Sequence, residues 1–555
     1  MKKLIVILLA LLPGVVFAAD DFPVTIQIDA AKTQGDIQPI WRFFGYDESD
    51  FTYMKDGQKL LTEIAALQPP QVYIRAHHLM TSGDGTWALK WSSSGMYSVD
   101  AQGKPVYNWT IIDKIFDTYV QRHLKPYVEI GFMPKDLSTR PELYPTTFDQ
   151  NKRVPVDAGQ AYPPKDYTAW GELVYQWANH CVQRYGKDEV EQWYWEVWNE
   201  PDISYWKGTR AEYFKLYDYA TDGVRRALPT ARVGGPDAAG NDQFLRSFIQ
   251  HCLHDTNAAT GKPGIPLDFV SFHAKGRPTY VGGHVRLGVS NQLNVIDRNF
   301  AVIASFPETK KLPIVIGESD PDGSAATPSS ELPQNGYRPG TMFSSYEAEA
   351  FARTNQLAAK HGVNLLGALT WSFEFEDKPY FAGFRTLATN GIDLPVFNVF
   401  RMFSKMGGKQ LEVQSSADLG ETAIQGIGVR ARPDVFAVAG LQDKKLSVMV
   451  WHYHDDDLPG PAAAVDLSLS DLPITSGDAM LTHYRIDQDH SNSYTVWKQL
   501  NSPQNPTDEQ YAQLQKAGQL ATLEDPTTLH VDGGKATLHF TLPRQGISLL
   551  VLEWK

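Results

Sequence analysis

The chain has 555 residues, a formal net charge of −13 and 42% apolar residues. That length accommodates one large domain and a smaller one. The acidic balance excludes nucleic acid and anionic membrane surfaces as partners, because both require a basic surface.

Met1-Lys2-Lys3 precede an apolar run over 4–12, and the small residues Val16 and Ala18 stand just before an acidic pair, Asp20-Asp21. This pattern predicts an export signal over residues 1–18 and a periplasmic or secreted mature protein. The apolar run is too short to span a bilayer, and no later stretch reaches the roughly 20 apolar residues a spanning helix needs. Residues 19–39 form a separate N-terminal segment, whose strand-like stretch over 24–28 is expected to pair with the C-terminal domain.

From 40 to 408 short apolar strands alternate with amphipathic helices. The predicted strands are 40–45, 71–76, 125–131, 192–198, 232–234, 267–273, 312–317 and 365–371. The predicted helices are 54–67, 111–123, 167–185, 210–227, 243–254, 293–306, 345–361 and 396–406. Eight strand–helix units of this kind predict an α/β fold, a (β/α)8 TIM barrel. The competing open doubly wound sheet calls for a glycine-rich turn after its first strand, and here the chain reads Gly45-Tyr-Asp-Glu-Ser49. The loops over 136–165 and 320–340 are long enough to border a site. After Gly407-Gly408 the pattern becomes alternating, with strands predicted at 424–431, 435–439, 446–453, 464–469, 479–486, 528–531, 535–542 and 547–554. This spacing predicts a β-sandwich domain over 409–555. Cys181 and Cys252 are the only cysteines, and the sequence leaves open whether they pair or remain free thiols.

The chemistry is concentrated at the C-terminal ends of the barrel strands, where active sites of this fold lie. Trp193-Tyr-Trp-Glu-Val-Trp-Asn-Glu-Pro201 ends the fourth strand on Asn199 and Glu200, and its tryptophans offer flat faces of the kind that pack on sugar rings. Pro313-Ile-Val-Ile-Gly-Glu318 ends the seventh on a second carboxylate. Strands four and seven place Glu200 and Glu318 across one mouth, the paired-carboxylate arrangement of glycosidic bond cleavage. An amide and aromatics around Glu200 favour the protonated form of a general acid. With Arg75 and His273 as candidate hydrogen-bond partners, Glu318 is expected to stay ionised, as a nucleophile must. Asn199 stands where it can hold the hydroxyl next to the reacting carbon. Competing readings make Arg75 an ion-pair partner of Glu129, His273 a core histidine and Trp371 barrel packing. His77 and His78 face opposite ways on a strand, so one of them is structural. Glu374 and Glu376 share a face if the chain stays extended, with a solvated loop as the home of at least one. Neither HExxH nor paired CxxC spacing occurs, so no metal and no cofactor are predicted. No G-x-S-x-G elbow occurs either.

Several blocks carry a family resemblance: Tyr73-Ile-Arg-Ala-His77, Tyr107-Asn-Trp-Thr-Ile-Ile-Asp-Lys-Ile-Phe-Asp117, Pro126-Tyr-Val-Glu-Ile-Gly-Phe-Met-Pro134, Pro163-Pro-Lys-Asp-Tyr167, Trp195-Glu-Val-Trp-Asn-Glu-Pro201, Gly234-Gly-Pro236 and Asp268-Phe-Val-Ser-Phe-His-Ala274. In these the chain resembles family 39 of the glycoside hydrolases, a clan A family of retaining enzymes. The resemblance implies Glu200 as acid/base and Glu318 as nucleophile. It makes Asn199, His77 and His273 sugar-binding or nucleophile-orienting, with Trp371 lining the subsite. Substrate contacts are therefore expected from Asn199, His77, His273, Trp371, Arg75 and Glu374. Members of the family are most often β-xylosidases, with α-L-iduronidases and other exo-glycosidases among the rest, so the activity expected is that of a β-xylosidase acting on plant-type oligo- or polysaccharides. The alternatives are an α-L-arabinofuranosidase, β-galactosidase or other exo-glycosidase on the same catalytic pair, or a non-catalytic carbohydrate-binding protein. The sequence departs from the xylosidase pattern at Glu318-Ser-Asp-Pro-Asp-Gly323 and at Lys275-Gly-Arg277. The second departure adds two cations near the cleft, which fit an acidic sugar or a solvated loop.

Overall fold

The computed structural model describes residues 21–555, so the expected export signal lies outside the described residues. Phe22–Asp36 (β1) runs into eight parallel strands: β2 Phe43–Tyr46, β3 Tyr73–Ala76, β4 Lys125–Ile130, β5 Tyr194–Val197, β6 Arg232–Ala238, β7 Phe269–Lys275, β8 Pro313–Asp320 and β9 Asn364–Ala368. Each pairs with the next in parallel. The sheet closes because Ala368 N donates to Ile40 O (2.8 Å) and Gly45 N to Thr370 O (3.0 Å). Eight helices cover it: α1 Lys55–Ala65, α2 Thr110–Val120, α3 Tyr167–Tyr185, α4 Arg210–Ala227, α5 Asp242–His254, α6 Val289–Ala304, α7 Thr341–His361 and α8 Pro395–Phe403. Helix starts follow local chemistry. The Asp166 carboxylate accepts from Thr168 N and Ala169 N, and Thr209 with Glu212 forms a capping box, each worth about 1 kcal/mol.

Because side chains alternate along a strand, the barrel interior fills in layers. Phe43, Tyr73, Tyr127, Tyr194 and Phe269 pack together as an aromatic floor. Two residues further along the strands stand Arg75, Glu129, Glu196 and Ser271, all fully buried. The layer above contains His77 and His273. Trp195 of β5 and Trp193 just before it follow the same rule in the other direction. Trp193 packs on Phe116 of α2 (centroids 5.3 Å apart) and Trp195 on Trp177 of α3 (5.6 Å). Trp193, Trp195 and Trp198 are each 0% exposed, so they belong to the strand–helix core and offer no face to a sugar. Each ring buries roughly 200 Å², on the order of 5 kcal/mol before entropic costs.

The second domain is one sheet folded around its own core. Its strands are β10 Lys409–Ser415, β11 Asp434–Gln442, β12 Lys445–Tyr453, β13 Ala463–Ser470, β14 Ser476–Ile486, β15 Ala521–Thr522, β16 Thr527–Asp532, β17 Ala536–Leu542 and β18 Ile547–Glu553. The order is β15-β14-β18-β12-β11-β10-β1-β13-β17, with β16 on β14, and the result resembles a β-sandwich. β1 lies inside this sheet, antiparallel to β10 and parallel to β13, burying Val24, Ile26 and Ile28.

The C-terminal domain departs from the sequence pattern in three places. Residues 424–431 are no strand: Glu421–Ile427 is a short helix bounded by Gly420 (φ 77°) and Gly428 (φ 75°). Ile424 is its one buried side chain, which a single-residue anchor explains better than an alternating face. The strand at β10 went unpredicted, because its half-exposed residues show weak alternation. Two helices, Ser493–Gln499 and Asp508–Ala517, fill the insertion between β14 and β15. Thr507 and Gln510 cap the latter in a capping box, a signature readable in Thr-Asp-Glu-Gln. Cys181 and Cys252 are free, buried thiols.

The domains are riveted by α7. Arg353 of that helix reaches Asp434 (2.8 Å) and Asp418 (2.9 Å), and Glu349 accepts from the Trp451 indole (2.6 Å).

Candidate active site

The fourth-strand carboxylate stands on an unusual turn. Trp198 (φ 74°) and Glu200 (φ 44°) both occupy the left-handed region, a conformation that costs non-glycine residues on the order of 1–3 kcal/mol and clusters at functional sites. Glu200 N donates to the carbonyl of Asp237 (3.0 Å) on β6, and Asp237 is itself left-handed (φ 52°). This re-aims the Glu200 side chain over the barrel mouth, where it is 14% exposed. The seventh-strand carboxylate, Glu318, lies on β8 with its side chain 9% exposed.

One histidine links the two. His273 Nδ1 donates to Glu200 Oε1 at 2.8 Å and lies 3.8 Å from Glu318 Oε1. These legs cap the distance between the two carboxylate oxygens at about 6.6 Å, a bound that admits the roughly 5–5.5 Å spacing of retaining enzymes and excludes nearly all of the roughly 6.5–9.5 Å range of inverting ones. His273 Nε2 donates to Asp237 Oδ2 at 2.8 Å. With both nitrogens donating, the ring is an imidazolium. Burial works against that charge, but Asp237 and Glu318 hold the His273 pKa well above its ordinary value.

Below this pair lies Arg75, which bonds Glu196 (2.7 Å), Glu129 (2.8 Å) and Asp237 (2.6 Å), donates to Asn199 Oδ1 (3.2 Å) and lies 3.8 Å from Glu318. One guanidinium cannot neutralise so many buried carboxylates, and burial sorts them. Glu129 is pushed well above the carboxylate range by burial, and Glu196 up to about 8 by burial and the Asp237 charge. Burial also tends to raise Asp237 and Glu318. Arg75 and His273 hold Asp237 below its usual value, and Lys275, His273 and Arg75 hold Glu318 well below the usual range. The nucleophile candidate is thus ionised at neutral pH, while its neighbours in the layer beneath are neutral.

The remaining residues divide clearly. His77 donates from Nδ1 to Glu129 Oε2 (2.6 Å), the oxygen that also accepts from Arg75. Its Nε2 is left without a partner, 3.8 Å from Glu318 and 3.6 Å from Asp47. Burial and the nearby Arg75 charge keep this ring neutral, so Nε2 is an acceptor facing the cleft. Asn199 Nδ2 is likewise buried and unpartnered, a donor available to a hydroxyl. Trp371 lies beside His77 (centroids 4.2 Å) and over Arg75 (5.1 Å), with an unpartnered indole N–H. Gly45 makes room for that ring, since a Cβ there would stand 2.4 Å from it. His78, by contrast, bonds Thr81 (3.1 Å) and packs on Trp91, a structural role.

Glu374 is not brought to the pair. Its carboxylate accepts from Gly391 N (2.8 Å), and burial raises its pKa well above the ordinary value. Glu376 accepts from Asp56 N and Gly57 N (3.0 Å each) at the start of α1. Both are buried, at 1% and 5% exposure, so neither occupies a solvated loop. Of the two loop cations, Lys275 enters the site, pairing with Glu318 and with Asp320 (2.6 Å), whereas Arg277 is exposed.

Three residues escaped the sequence reading. Asp237 follows Gly-Gly-Pro and has no pattern of its own. Asp47 and Lys90 pair at 2.5 Å beside His77, from loops distant in sequence. Gly317 offered a faint signal: a Cβ there would meet Asp237 Oδ1 at 2.0 Å, so a glycine before the carboxylate marks a close neighbour.

Over 450 residues the chain is 26% identical to a β-xylosidase of Geobacillus stearothermophilus, covering 78% of this chain and 77% of that protein. It is 24% identical over 579 residues to the α-L-iduronidase of Mus musculus, covering 96% and 81%. Among solved structures, a bacterial orthologue of human α-L-iduronidase superposes with a TM-score of 0.77 at 20% identity, covering 96% of this chain and 84% of that one. A monomeric β-xylosidase from Caulobacter crescentus CB15 superposes with a TM-score of 0.73 at 21% identity, covering 95% and 99%. The family model of glycosyl hydrolases family 39 matches residues 24–534, and the chain belongs to that family.

Proposed function

We propose that this glycosidase is a retaining, exo-acting enzyme with Glu318 as nucleophile and Glu200 as acid/base, and that its substrate is a β-xyloside. The observation that carries the mechanism is the meeting of both carboxylates on His273 Nδ1, at 2.8 and 3.8 Å. Ionised Glu318 attacks the anomeric carbon while Glu200 protonates the departing oxygen. Glu200, now a carboxylate, takes a proton from water, which attacks the same carbon and releases the sugar with its configuration retained. Asn199 Nδ2 and His77 Nε2, both unpartnered, offer one donor and one acceptor to ring hydroxyls. The 1–18 pattern supports action outside the cytoplasm.

A second reading is favoured by Lys275. A cation on the nucleophile and Asp320, 17% exposed toward the cleft, suits the carboxylate of a hexuronic acid, and relatives include α-L-iduronidases aligned over most of the chain. A panel of aryl glycosides separates the two, with 4-nitrophenyl β-D-xylopyranoside against 4-methylumbelliferyl α-L-iduronide. Proton NMR of the first-formed anomer then reports the stereochemistry. Turnover of the xyloside with retention supports the proposal. Turnover of the iduronide alone replaces the sugar, and an inverted product removes the mechanism.

A further inference from the structure

Asp237 touches the acid/base from two directions. Its carbonyl accepts the amide of Glu200 (3.0 Å), and its Oδ2 accepts from His273 Nε2 (2.8 Å), whose opposite nitrogen donates to the Glu200 carboxylate (2.8 Å). The residue is fully buried, in the left-handed region at φ 52°, and tied by the same oxygen to Arg75 (2.6 Å). Its other oxygen lies where a side chain on residue 317 would be, so the glycine preceding the nucleophile is shaped around it. A non-glycine residue held in such a conformation, in contact with both strand ends that bear the carboxylates, is over-determined by its surroundings.

We propose that Asp237 is the positioning residue of the acid/base, fixing the His273 ring whose Nδ1–H orients the Glu200 carboxylate toward the leaving oxygen. The inference rests on the retaining mechanism above. It assigns no contact with substrate to Asp237. It says that the Asp237 carboxylate acts through His273 on proton transfer and leaves the attack by Glu318 largely alone.

The test is Asp237→Asn, which keeps the side-chain shape and the backbone carbonyl that holds Glu200. Aryl glycosides of the sugar identified by the panel are used, with rates expressed per site counted by the dinitrophenolate burst of a 2,4-dinitrophenyl 2-deoxy-2-fluoroglycoside. The phenyl glycoside needs its leaving oxygen protonated and the 2,4-dinitrophenyl glycoside does not. General acid catalysis is worth roughly 100- to 10,000-fold, so losing its orientation should lower kcat/KM on the phenyl glycoside by roughly 10- to 100-fold. On the dinitrophenyl glycoside kcat/KM should change less than about 3-fold, and in the His273→Asn background D237N should add little. Equal losses on both substrates, additive losses in the double variant, wild-type rates, or a burst lost from D237N but present in the wild type would each overturn the inference. Absence of a burst from the wild type would instead overturn the retaining reading on which it rests.

Discussion

Lys275→Met removes the charge closest to the nucleophile while keeping the length of the side-chain stem. Lys275 Nζ meets Glu318 Oε2 directly and Asp320 at 2.6 Å, whereas Arg75 and His273 stand off Glu318 at 3.8 Å. A cation in direct contact lowers a carboxylate by roughly 1–3 pH units. Two more distant cations remain, so the loss of Lys275 should move the acid limb of kcat/KM upward by roughly one to two pH units, or about 1.4–2.7 kcal/mol. The sign follows from the protonation state. Glu318 must be ionised to attack, burial favours its neutral form, and Lys275 is the strongest of the charges opposing burial. Activity is present above the Glu318 pKa and lost below it, so weakening the opposition moves the loss to higher pH. The assay is kcat/KM from pH 3 to 8 on a neutral aryl glycoside. An acid limb that stays in place, or moves down, refutes the reasoning. The same variant bears on the sugar: if the substrate is a uronide, KM for it should rise roughly 10- to 100-fold, as expected for a lost charged hydrogen bond of about 1.5–3 kcal/mol.

Other outcomes follow from the packing. Gly317→Ala places a methyl 2.0 Å from Asp237 Oδ1, so the variant should lose roughly 1–3 kcal/mol of stability together with most activity; full activity with an unchanged thermal midpoint would show that the fit is loose. Arg353→Met leaves Glu349, Asp434 and Asp418 without their cation and should cost about 3–5 kcal/mol, read as a lower thermal midpoint with KM unchanged. Cys181 and Cys252 are buried, and burial pushes both thiols well above their ordinary pKa. Neither should react with a disulfide reagent in the native protein, and both should react in denaturant without reductant.

The barrel was legible because short apolar strands recur between amphipathic helices, and within each strand side chains face alternately inward and outward. Tyr73, Arg75 and His77 share one face of a strand, as do Phe269, Ser271 and His273, and each series climbs from aromatic floor to polar mouth. Strand ends were therefore readable, and with them Glu200 and Glu318. The facing of Trp193 and Trp195 was equally implicit in that alternation: if Glu196 points inward to Arg75, Trp195 must point outward. What pattern could not supply was pairing across loops. The contact of Lys275 with Glu318, of Asp47 with Lys90 and of Asp237 with His273 joins residues from separate strand–helix units, and turn conformation alone decides it. Glu374 was misplaced for the same reason, since the chain after Trp371 leaves the extended form assumed for it and turns the carboxylate to Gly391.

Trapping the covalent intermediate tests the central claim most directly. Incubation with a 2,4-dinitrophenyl 2-deoxy-2-fluoroglycoside of the preferred sugar, followed by proteolysis and peptide mass mapping, should find one fluorosugar on Glu318. A label on Glu200 or another carboxylate, or steady turnover with no labelled peptide, would contradict the assignment of these two strand-end glutamates.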